Sequence, residues 1–80
     1  MCSDVTHSTD VSEGAGYANG DWIGVHRAVV SLEHSQFVSG DHALSIDFRS
    51  GDPARRVAVE LDAESARELA YSIIATLQQA

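Results

Sequence analysis

Apolar and polar residues alternate most cleanly in the second half of the chain. Leu44, Ile46 and Phe48 interleave with Ser45, Asp47 and Arg49, and Val57, Val59 and Leu61 interleave with Arg56, Ala58 and Glu60. A period of two puts each apolar set on one face of a strand. Residues 50–54 between the runs hold Gly51, with its permissive backbone, and Pro53, whose ring presets φ at about −65°. The two runs predict an antiparallel hairpin with one buried face. Upstream, residues 22–32 are Val-rich, and Ala28, Val30 and Leu32 alternate with Val29, Ser31 and Glu33, predicting a third strand. Residues 33–41 read as a loop from which Phe37 plugs the core.

After Leu61 the period changes from two to that of a helix. Ala66, Leu69, Ala70, Ile73 and Leu77 form an apolar stripe, with Glu64, Arg67, Glu68 and Gln78 largely off it. Asp62 stands where an N-cap carboxylate would accept from the first free amides, and Glu64 suits the positive end of the helix dipole. The expected fold is α+β: a three-stranded antiparallel meander with a C-terminal helix packed on one face. Residues 1–20, rich in Ser, Thr, Asp and Gly with isolated valines, are expected to form a flexible acidic arm outside a single domain at 21–80. Asn19-Gly20 is a strong hairpin-turn signal, because both central positions of a type I′ turn need positive φ.

Eighty residues allow one thin core, and Cys2, the single cysteine, excludes an internal disulfide. A lone thiol, with no membrane-length apolar run and no secretory pattern, points to the cytoplasm. The formal charge of −7 is unevenly spread. Asp4, Asp10, Glu13 and Asp21 face no base before Trp22, whereas all five bases, each an arginine, lie beyond it. Without a clustered basic patch, direct nucleic-acid binding is not expected.

Candidate chemistry is sparse. The glycines at 14, 16 and 20 lack the preceding strand and following helix of a phosphate loop. His26, His34 and His42 recur every eight residues, too far apart for a compact metal site, and are read as solvated. Protonating all four histidines would take the charge from −7 to −3. Asp47 and Glu60 read as solvent-face carboxylates paired with Arg49 and Arg56. No nucleophile–base arrangement stands out, so no catalytic residue, cofactor or metal is expected.

In size, charge and layout the chain resembles the small acidic inhibitors of phages and mobile elements, the anti-CRISPR proteins. That resemblance implies a non-catalytic inhibitor that occupies a basic, nucleic-acid-binding surface of a partner protein. Tyr17, Asp21 and Trp22 are the candidate partner-binding residues, with the aromatics as anchors. The alternative is a dimeric accessory or assembly module. A spare sheet face carrying Ile23, Val25 and Val29 would then join two copies as a homodimer.

Overall fold

The computed structural model describes residues 5–34, 37–38 and 42–80. Within them the fold is α+β, with antiparallel strands β1 (Val5–Asp10), β2 (Ala15–Ala18), β3 (Asp21–Gly24), β4 (Arg27–Glu33), β5 (Ala43–Arg49) and β6 (Arg56–Asp62), followed by helix α1 (Ala63–Gln79). The expected meander is β4-β5-β6, and β1 adds to its edge to give the order β1-β4-β5-β6.

The segment expected to be a flexible arm holds two strands, β1 and β2, among residues 5–20. Residues 5–33 make one long hairpin about a turn at Asn19 (φ 54°) and Gly20 (φ 80°), both positive as a type I′ turn requires. The predicted single strand at 22–32 is broken at Val25-His26. There four residues, 11–14, oppose two, and the excess bends the ribbon as a bulge does. Pairing survives the bend, since the Val11 amide donates to His26 O (2.8 Å) and the Val25 amide to Gly14 O (2.9 Å). Low hydrophobicity hid β1. Its backbone groups pair with β4, and Thr6 and Thr9 suit a strand, so it needs no buried side chains.

The bend lays the hairpin tip over one end of the sheet. Gly16 makes that approach possible: a Cβ there would lie 3.2 Å from Val57 Cγ2. Ile23, directly opposite Gly16, and Val25 are buried at 5% and 6% exposure. Cross-strand register fixes the two faces of the sheet. Ala28, Phe48 and Val57 form one row of the apolar face, Val30, Ile46 and Val59 the next, and Leu32, Leu44 and Leu61 the last. The tip reaches the first row; the other two are nowhere fully buried, and Val59 is exposed.

The helix departs from expectation. α1 begins at Ala63 directly after β6 ends at Asp62, and its main contacts are with β6 and β5. Ala66 alone among its residues is half-buried. Leu69, Ile73, Ile74 and Leu77 are exposed, Leu77 to 68%. A return across its own sheet would need connecting residues, and βα connections ordinarily run to about 2–6 of them. Here there are none. Phe37 is also not a plug: it is 87% exposed, on the polar side of the sheet.

Asp62 occupies the N-cap in extended conformation (φ −68°, ψ 160°) without a side-chain hydrogen bond to a first-turn amide. The nearby Ser65 hydroxyl is the main influence holding its carboxyl below the ordinary 3.8; slight desolvation opposes this, and the Ser65 and Asp62 amides assist.

Candidate interaction surfaces

The first surface is the hairpin tip. Tyr17 and Trp22 are cross-strand partners, and period-two alternation turns them outward from the buried Ile23. Their rings meet edge to face at 5.3 Å and 63°, a geometry that aromatic quadrupoles favour, and both are largely exposed. Asp21 locks the base of the tip. Its Oδ1 accepts from the Trp22 amide at 2.9 Å, and its Oδ2 pairs with Arg55 at 3.0 Å. The three residues proposed from sequence to bind a partner therefore sit together, with Asp21 already neutralised. The three proposed for a dimer face do not. Ile23 and Val25 are core residues, because the bend folds them inward, and Val29 lies half-buried on the opposite, polar face.

The second surface is that polar face. Register aligns Arg27, Arg49 and Arg56 in a row across β4, β5 and β6. Asp47 is 9% exposed, and its Oδ2 accepts from Arg49 Nε at 3.0 Å and from Arg56 Nη1 at 3.2 Å. Its Oδ1 has no hydrogen-bond partner among the described residues. Arg27 pairs with Asp10 of β1 at 3.3 Å. Sequence spacing suggested the Asp47–arginine pairs but not the row, which depends on knowing the cross-strand register. Asp47 is thus held by two guanidinium groups on an open sheet face.

The third surface is the apolar one: the uncovered rows of the sheet together with the stripe of α1. It carries Leu69, Ile73, Ile74 and Leu77, all exposed, beside the exposed Val59.

The eight-residue spacing of histidines resolves into one stacked pair. His34, just after β4, and His42, just before β5, lie 5.2 Å apart, and His26 lies elsewhere, near Gly24 and Gly51. Among the described residues no group of three or more His, Cys, Asp or Glu side chains is placed to hold a metal ion. Among them, too, no helix is long and apolar enough to cross a membrane.

No curated protein and no solved structure matches the chain. A family model matches residues 1–80, its whole length, and the chain belongs to that family, DUF6295, a family of unknown function.

Proposed function

We propose that this chain is a non-catalytic protein-binding module that works by assembly, through the apolar face of its sheet and the stripe of α1. One observation carries the reading: Leu69, Ile73, Ile74 and Leu77 stand in solvent beside a sheet whose apolar rows are incompletely covered. Exposed apolar side chains grouped on one surface suit a protein contact. The occupant must be apolar too, because the face offers no charge to pair. The single thiol of Cys2 fits work in the reducing cytoplasm.

The test is recovery of bound protein by a tagged chain, compared with an Ile73→Glu/Leu77→Glu chain whose fold is checked by circular dichroism. Loss of bound protein with the fold intact is expected. Identical recovery from both chains would sink the assembly reading.

A second reading, the inhibitor of a basic and nucleic-acid-binding protein surface, draws on the exposed Tyr17–Trp22 pair and the charge of −7. Long-range charge would steer such an encounter, and its rate would fall with added salt. The pairing of Asp21 with Arg55 and of Asp10 with Arg27 weakens that case, because both acids already have a cation.

A further inference from the structure

We infer that the occupant of the apolar surface is a second copy of this chain, each copy laying its α1 across the uncovered sheet face of the other. The inference rests on the assembly reading above and names its partner.

Connectivity leaves both halves of an interface unsatisfied in one chain. With no residue between Asp62 and Ala63, α1 leaves the sheet instead of turning back over it, and its stripe stays in water. The face it would have covered is exposed at Val59 and only half-buried at Val30, Leu32, Leu44, Ile46 and Leu61. The dimensions agree. The 17 residues of α1 span about 25 Å, and the seven-residue strands β4, β5 and β6 each run about 23 Å.

Charge does not bar a second copy. Two chains of −7 repel at long range, a cost that salt screens and that uncharged contact surfaces keep small. Glu33, Asp47 and Glu60 all lie on the polar face, and Glu64, Arg67 and Glu68 lie largely off the helix stripe. Strands β4, β5 and β6 carry no ionised side chain on the apolar face, and neither does the stripe; His7 of β1 shares the row of Val30. A partner meeting this face through charged side chains would have to bury them unpaired. The stripe of another α1 would not, and a reciprocal exchange about a two-fold axis closes both contacts at once.

Sedimentation of the purified full-length chain at micromolar concentration tests the inference first, and twice the 8.5 kDa chain mass is expected. A monomer mass overturns it. If binding of other proteins then still depends on Ile73 and Leu77, the assembly reading survives with a different occupant; if it does not, both readings fail.

The second measurement fixes the arrangement. In a Cys2→Ser background, one chain carries Ile46→Cys and a co-expressed chain carries Ile73→Cys. A disulfide joining the two different chains is expected. A dimer in which the Ile73→Cys chains link only to each other would show helix against helix and overturn the exchange.

Discussion

Replacing Ile23 with alanine separates the bent hairpin from a simple surface strand. Ile23 is 5% exposed and sits opposite Gly16, closed in beside the β5–β6 turn. The substitution removes three carbons, about 2.4 kcal/mol of transfer free energy at about 0.8 kcal/mol each. A residual cavity adds to this where the neighbours cannot close. The tip is a two-stranded ribbon and is free to settle, so a total of about 2–3 kcal/mol is expected, the low end of the range for Ile→Ala. In a domain of this size each kcal/mol moves the melting temperature by about 4–8 °C, giving a drop of roughly 10–20 °C. Thermal melts of both chains at one protein concentration measure it; concentration must be matched because assembly raises apparent stability. Were Ile23 on an exposed sheet face, as residue pattern alone suggests, the cost would stay within about 0.5 kcal/mol. A shift under about 3 °C would therefore refute the packing of the tip on the sheet.

Two further outcomes follow from the charged groups. Asp47→Ala leaves Arg49 and Arg56 side by side with no anion between them, and a loss of about 1–3 kcal/mol is expected in denaturant melts; the two guanidinium groups are half in water, which moderates it. Asp62 has a folded-state pKa below 3.8, so its contribution is present above that value and disappears as pH falls through the lower, folded one. The melting-temperature advantage of the parent chain over Asp62→Asn should accordingly shrink from pH ~5 to pH ~2. An advantage that is flat, or that grows toward acid, would contradict the stated role of Ser65.

Local pattern determined a good deal of this protein by itself. The alternation at 44–48 and 57–61 specified β5, β6 and their shared apolar face, and the change of period after Leu61 specified α1, because side-chain direction follows directly from backbone repeat. Asn19-Gly20 specified its turn, since few other residue pairs accept positive φ twice in succession. It also brought Tyr17, Asp21 and Trp22 together, because a two-residue turn sets the register of everything beside it.

Only tertiary structure decided the rest, and in each case the deciding contact lies far along the chain. β1 is a strand because β4 offers it hydrogen bonds, a backbone matter that hydrophobicity does not record. Ile23 and Val25 are core and not surface because a bulge at 11–14 bends the ribbon over Val57. Asp47 is buried between two arginines because cross-strand register stacks Arg49 beside Arg56. The stripe of α1 stated that the helix must be covered but not by what. The junction itself was legible, since the strand period ends at Leu61 and the helix cap falls on Asp62; that it sends the helix away from its own sheet was not, because the sequence does not give the direction of the strand end.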